Sequence, residues 1–415
     1  MAKKIKILIL SIMLLQACSD TKPFIRKILQ GDPNQRPNNP EVITFYALGD
    51  WGTGNKHQEA VAEALRENVS KIPKGRKISP LVLGLGDNIY SKGLPEGWNN
   101  PKVHQLLEKT FGQIYKDVQY EGRELVYYMI PGNHDHGGKP GGKNGWGDVI
   151  QQETMAEKLY EPYWRYYPID PAKNADTNDS TDYHTLKEQD IFSLTLPEQI
   201  NINESKTIAI VAIDTQVLLK LYSQKDFKMV RRHWERLESL LEEEVDLKIV
   251  IGHHPLKSHG RHGGFRPLVE WTWSGTTGFI KPWWIRPLTF IWLPFLSTSI
   301  DKLFLKLNQD LDNSAYKHFQ HDLIQLMNLY NVKIYLSGHE HSLQFLMIDN
   351  NHFQIISGSA GKLSPVTHKN DTLFSHTSPG FVRFDITTNE IWVEFFQVDI
   401  KSSSYQSSAL FKINN

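Results

Sequence analysis

The sequence predicts an α/β fold, and three observations carry that expectation. Short apolar runs recur along the chain and each stops at a polar turn: VITFYAL before GDWG, LVLGL before GDN, LVYYMI before PGNHD, IAIVAI before DT, KIVI before GHHP and KIYL before SGHEH. The runs are continuous rather than alternating, as in strands covered on both faces. Between them lie stripes at helical spacing: Val61, Leu65 and Val69; Val230, Trp234, Leu237 and Leu241; Phe319, Leu323, Leu326 and Tyr330. Strands alternating with such helices indicate an α/β architecture. No internal repeat interrupts the pattern. The Gly-rich HGGKPGGKNGWG and the polar AKNADTNDSTD read as loops.

Composition narrows the class. Of 415 residues, 40% are apolar and 22% charged, which predicts a sizeable core rather than disorder. Lys plus Arg and Asp plus Glu both total 46, so there is no basic excess of the kind a nucleic-acid surface needs. Seventeen His stand against one Cys. That argues against disulfides and thiolate metal sites and leaves imidazole and carboxylate as metal ligands.

The first residues read as targeting. Lys3, Lys4 and Lys6 precede the apolar stretch Ile7 to Leu15, which is shorter than the roughly 20 residues of a spanning helix. LQAC, ending at the sole Cys18, resembles a bacterial lipobox. That resemblance implies a lipoprotein signal peptide over residues 1–17, lipid on Cys18, and a place in the bacterial cell envelope outside the cytoplasm. Several acyl chains hold firmly where one holds marginally. Residues 18–40, with GDPNQRPNNP, are expected to form an extended, poorly ordered tether. The folded domain is expected over residues 41–400, and residues 401–415 as a tail.

In α/β sheets ligands gather beyond the strand carboxyl ends. Five of the six strand ends carry Asp, Asn or His in a Gly-framed turn. Asp50, Asp87, Tyr90, Asn133, His253, His339 and His341 each have an ordinary reading alone, as turn, core or surface residues. His339 and His341 flank Glu340 and would project to one side of an extended segment. Together the seven form two sets of donors. Carboxylate and phenolate suit a trivalent ion, and imidazole and amide suit a divalent one such as Zn, Fe or Mn. Gly86, Gly132, Gly252 and Gly338 precede the turns, as crowded backbones around an ion require.

GDWG, GDNIY, GNHD, VIGH and GHEH occur in the order and spacing of the purple acid phosphatases, and the chain most resembles their short, tartrate-resistant type. The wider calcineurin-like phosphoesterases typically open on Asp-x-His and continue GDxxD. Here Trp51 and Gly52 follow Asp50, and Tyr90 stands where the second Asp would be. Those departures select the purple acid branch. The resemblance covers roughly residues 41 to 400 and implies a four-layer α/β/β/α sandwich of two mixed sheets with outer helices. It implies that Asp50, Tyr90 and His341 bind a ferric ion, that Asn133, His253 and His339 bind a divalent partner (Fe, Zn or Mn), and that Asp87 bridges both. The activity implied is hydrolysis of small phosphate monoesters by a metal-bound hydroxide at a binuclear Fe(III)–M(II) centre. His134 and His262 are expected to assist the leaving group, with Asp135 or a backbone group fixing the His134 tautomer. His262 lies at the family's offset of nine residues after the metal ligand His253; His259 and His254 are its rivals.

The segment between His253 and His339 is longer than in short family members. Its Trp-rich part, near 265–300, is broken by Lys281, Pro282, Arg286, Pro287 and Pro294 and is not a spanning helix. Extra packing or a lid is expected there, ahead of a membrane-interface edge. GFVRFDITTNEIWVEFFQVD alternates and predicts a closing hairpin. Other readings of the whole are a phosphodiesterase or nucleotide hydrolase on the same fold, or a catalytically silent surface binding protein. Zero net charge and export disfavour a DNA-processing enzyme.

Overall fold

The computed structural model describes residues 22–95, 100–137, 145–160, 164–166, 208–242, 244–265 and 311–414. Each predicted run forms a strand. Besides a small ribbon of Gln119–Tyr120 with Arg123–Glu124, the strands in chain order are β1 (Phe24–Ile25), β2 (Ile43–Leu48), β3 (Leu81–Gly84), β4 (Val126–Met129), β5 (Trp164–Tyr166), β6 (Ile208–Ile213) and β7 (Leu247–Gly252). They continue as β8 (Val332–Ser337), β9 (Leu343–Met347), β10 (Phe353–Ser357), β11 (Thr372–His376), β12 (Gly380–Ile386), β13 (Glu390–Val398) and β14 (Tyr405–Asn414). The first sheet has the order β1-β11-β9-β10-β8-β7-β6 and the second β14-β13-β12-β2-β3-β4-β5. In both, the strands that end at polar turns run parallel, β2 with β3 and β4, and β6 with β7 and β8.

Alternation along β2 explains the layering. Ile43, Phe45 and Ala47 enter a core shared with Ile210, Ile249, Ile334 and Ile355 of the other sheet. Tyr46 and Leu48 face the helical layer and pack with Val61, Leu65 and Val69. Phe374 of β11 lies 4.4 Å from Phe395 of β13, ring to ring across the two sheets. Helices α1 (Lys56–Ser70), α2 (Pro101–Leu107), α3 (Gly145–Tyr160), α4 (Thr215–Gln224), α5 (Phe227–Leu241) and α6 (Ser314–Leu329) complete the layers. The three predicted stripes lie on the buried faces of α1, α5 and α6, except for Tyr330, which caps α6 half-buried. Asn55, Asp214, Asp226 and Asn313 cap four of these helices with side-chain oxygens. Two mixed sheets face to face with helices outside are the four-layer sandwich the resemblance implied. Among the described residues no helix is long and apolar enough to cross a membrane.

Three expectations are corrected. The tether does not extend to residue 40. Phe24 and Ile25 pair with Ser375 and Phe374, and the Phe24 ring stacks on His368 at 3.9 Å. Arg36 then binds Asp385 through Nε at 2.6 Å and also pairs with Glu394. A buried carboxylate draws the arginine in, because an unpaired buried charge is costly. Residues 401–415 are no loose tail, since β14 pairs along the whole of β13, which itself forms the predicted hairpin with β12. Finally, the end of HGGKPGGKNGWG is helical, because α3 begins at Gly145. The signal peptide, Cys18, AKNADTNDSTD and nearly all of the Trp-rich segment lie outside the described residues.

Candidate metal centre

The parallel strands deliver their polar turns to one rim. Asp50 follows β2, Asp87 and Tyr90 follow β3, Asn133 and His134 follow β4, His253 follows β7, and His339 and His341 follow β8. Reaching one point requires sharp turns. Asp50, Asp87 and His339 take positive φ, at 56°, 57° and 68°, a region that few non-glycine residues use and in which Asp and His are enriched. The His339–His341 segment is therefore a kinked turn, not the extended segment expected, although both rings still reach the cluster. Gly132 is required by proximity: a Cβ there would lie 2.2 Å from Asp87 Oδ1. The sixth strand end differs. Asp214 accepts from Gln216 N and Val217 N to cap α4 and pairs with His136 at 2.9 Å.

All seven predicted donors converge. The Tyr90 hydroxyl lies 2.9 Å from Asp50 Oδ1, 2.7 Å from Asp87 Oδ2 and 3.4 Å from His341 Nε2. On the other side Asn133 Oδ1 lies 3.0 Å from His253 Nε2 and 3.1 Å from His339 Nδ1, and those two nitrogens are 3.3 Å apart. Asp87 connects the halves, with Oδ1 3.5 Å from His253 Nε2. Asp50, Asp87 and His253 alone place ligand atoms within 4.8 Å of one another, a set able to hold a cation.

The hydrogen-bond roles fit such a cation. His253 Nδ1 faces the Leu85 carbonyl at 2.8 Å. A carbonyl only accepts, so Nδ1 carries a proton and Nε2 points at two oxygens. A cation placed among these donors satisfies that contact. Electrostatics point the same way. Burial, with the neighbouring Asp87 charge, pushes the Asp50 carboxyl up to about 8. Burial also opposes ionisation of Asp87, but the His253 and His134 imidazoles and hydrogen bonds from His134 N–H and Tyr90 carry it below the usual carboxylate range. Burial and both carboxylates raise the Tyr90 phenol well above its ordinary value. Burial lowers His341 to about 4, helped by Lys362. A phenol held between two acids ionises only against a cation, and a metal ligand is such a case.

The catalytic candidates separate clearly. His134 faces the Ser91 carbonyl through Nδ1 at 2.6 Å and holds Nε2 4.0 Å from Asp87 Oδ2. The backbone, not Asp135, fixes its tautomer. Asp135 turns inward and accepts from Asn88, Ile89 and Gly132 N–H groups. The His262 ring lies 4.2 Å from His339. His259 is engaged elsewhere, 2.6 Å from Asp371. His254 lies behind the cluster, with Nδ1 2.7 Å from Thr215 Oγ1.

The sequence reading passed over Glu340 as a mere spacer. Its buried carboxylate accepts from Ser258 Oγ at 2.8 Å and from the N–H groups of Arg261, His262 and Gly263 at 3.0, 2.7 and 3.2 Å. It holds the loop that carries His262. A buried charge between two metal-ligand candidates was the available signal, since such a group needs several donors. Lys362, over the Tyr90 ring, and Ser364, 3.2 Å from His341 Nδ1, left no signal of comparable kind.

Comparison with known proteins agrees with this architecture. Residues 43–273, more than half of the chain, match the family model described as calcineurin-like phosphoesterase. Tartrate-resistant acid phosphatase type 5 of Rattus norvegicus is 22% identical over 376 residues, covering 87% of this chain and 84% of the relative. The Homo sapiens protein of that name is 22% identical over 375 residues, with 87% and 85% covered. Purple acid phosphatase 17 of Arabidopsis thaliana is 22% identical over 382 residues, with 86% and 81% covered. Among solved structures, the one described as GAP50, the anchor in the inner membrane complex of Plasmodium, superposes with a TM-score of 0.54 at 18% identity over 90% of this chain and 89% of that one. PhoD gives 0.50 at 11% identity over 92% and 73%. Both show the fold. With a family match spanning more than half its length and relatives among the purple acid phosphatases, the chain belongs to the calcineurin-like phosphoesterases.

Proposed function

We propose that the protein hydrolyses phosphate monoesters at a pair of cations, one ferric and one divalent. Asp50, Tyr90 and His341 would hold the ferric ion, Asn133, His253 and His339 the divalent ion, and Asp87 would bridge them. When bound, such a pair neutralises phosphoryl charge and lowers the pKa of water. The chain's own groups then do the remaining work. Asp87, fixed by the His134 N–H at 2.9 Å and by Tyr90, keeps the two halves in register. His134, protonated at Nδ1 by its carbonyl contact, presents Nε2 toward the phosphoryl group. His262, held by Glu340, supplies a proton to the leaving alkoxide at a distance that loop position fixes. The observation that carries this reading is the convergence of His253 Nε2, Asn133 Oδ1 and Asp87 Oδ1 on one point, a donor set suited to a cation. The same reading places the chain on an envelope membrane through lipid at Cys18, supported by LQAC. Cys18→Ser should move the protein from the membrane to the soluble fraction.

The test is metal analysis of residues 19–415 together with rates on an aryl phosphate monoester and the matching diester. About two metals per chain including iron, with faster monoester turnover, is the expected result. Two metals without iron overturns the assignment of Tyr90. A faster diester overturns the substrate class. No tightly held metal after reconstitution overturns the centre itself.

A further inference from the structure

The solvent side of the cluster is a rim of half-buried residues that includes Tyr90, His134, His262, His341 and Lys362, above the fully buried Asp50 and Asp87. Lys362 differs from the rest in ending in an ammonium group and in having no place among the donors. Its backbone is pinned on both sides. Asn55 Nδ2 donates to the Gly361 carbonyl at 3.0 Å, and a Cβ at Gly361 would lie 2.7 Å from the Asp50 carbonyl oxygen. Two residues on, Ser364 N–H donates to the His341 carbonyl at 2.8 Å. The ammonium lies 3.2 Å from the centroid of the Tyr90 ring, beside the hydroxyl that sits between both carboxylates. A surface lysine gives up much rotamer freedom when it binds a ligand. This one is already confined by its anchored backbone and by the aromatic face.

We propose that Lys362 is a phosphate-binding residue of this site and favours dianionic monoesters over monoanionic diesters. The inference rests on the phosphatase reading. The seven donors include three that become anionic around two cations, so much of the metal charge is neutralised by the protein. A lysine at the rim restores positive charge on the side from which an ester arrives. It attracts a dianion more strongly than a monoanion because the Coulomb energy scales with ligand charge. It also explains why this cation is kept at the face of Tyr90 without, among the described residues, an ion pair that would occupy it.

The experiment compares metal-loaded wild type, Lys362→Met and Lys362→Arg. Inorganic phosphate is titrated calorimetrically at low ionic strength, metal is quantified in the same samples, and kcat/KM is measured on an aryl phosphate monoester and its diester. The methionine variant should keep its metals, bind phosphate about thirtyfold more weakly and lose about fivefold in the monoester-to-diester ratio, the order expected for one charge about 4 Å from the ligand at a dielectric near that of water. Arginine should retain most of both. Unchanged phosphate affinity with full metal overturns the proposal and leaves the phosphatase reading standing. So does a loss of metal with unchanged phosphate affinity per loaded site, which would make Lys362 a partner of the carboxylates only. If the loaded wild type binds no phosphate, the phosphatase reading falls and this inference with it.

Discussion

The second sheet carries a buried polar cluster at each end, and the two are built oppositely. At one end Asp385 accepts from Arg36 at 2.6 Å, from Arg383 Nη2 at 3.1 Å and from Thr44 at 2.6 Å. Arginines complete that cluster from within the chain. At the strand carboxyl ends, Asp50 and Asp87 share one phenol and face imidazoles, with no arginine among their described hydrogen bonds and ion pairs. Burial penalises both sets. Only the first carries its own neutralising charge through direct pairs, and that contrast separates a structural cluster from one built to receive cations.

The contrast breaks most visibly at its two central acids. Asp87→Ala should remove both metals and lower turnover on the order of a thousandfold or more, since the centre supplies most of the charge stabilisation; metal analysis and kcat/KM check this. Arg36→Ala should do the reverse, costing about 2 kcal/mol of stability because it removes one of the two arginines on a buried carboxylate, while metal content and KM stay as in wild type. Denaturant unfolding reads the first, and equal stability would show that Arg383 and Thr44 suffice for Asp385. Within the site end, His262→Ala should lower kcat roughly a hundredfold with metals intact, the usual range for a lost proton donor. If His259→Ala did this and His262→Ala did not, the proton would come from the wrong side of the loop for the geometry above.

The last effect is in pH. In the metal-free protein Asp50 has its pKa raised to about 8 by burial, so the folded state holds a proton that the unfolded chain loses near 4. Its contribution to stability is full below about 4 and is lost as pH rises through about 8. Asp385 is opposite. Burial raises it, but Arg383 and Arg36 bring it below the ordinary value, so its contribution is present above about 4 and lost as pH falls through the lowered value. Thermal melts of metal-free wild type, Asp50→Asn and Asp385→Asn across pH 3 to 9 should show the two slopes removed separately.

Much of the site was legible because its residues sit in short motifs at strand ends, where chain direction alone brings them together. The rule that parallel strands share a carboxyl-end rim grouped Asp50, Asp87, Tyr90, Asn133, His253, His339 and His341 as candidates, and the resemblance to the purple acid phosphatases implied the role of each. The preference for His262 over His259 came from the family's offset alone; its physical reason, Asp371 engaging His259 from far along the chain, was not legible. The docking of Phe24 and Arg36 was not legible for the same reason. Their partners, Ser375, Asp385 and Glu394, lie more than three hundred residues on, and local composition rich in Pro and Asn reads as a free linker whenever distant pairing is unknown. The alternating C-terminal runs announced a hairpin, but nothing local showed that residues past 400 would add another strand.

The docked first strand sets a working distance. β1 runs antiparallel to β11 with Phe24 opposite Ser375, so the chain enters the sandwich at the same end as the metal-centre rim. Under the proposed attachment at Cys18, only residues 19–23 separate Cys18 from that docking point, a reach of at most about 21 Å over six steps of roughly 3.5 Å. Four strand spacings, about 19 Å, separate β1 from β8, which ends at His339. The leash is then comparable in length to the half-width of the molecule. An enzyme held so briefly would patrol a thin layer of solvent over the bilayer, and its encounter rate would be set by how many phosphate esters enter that layer rather than by their concentration in the bulk.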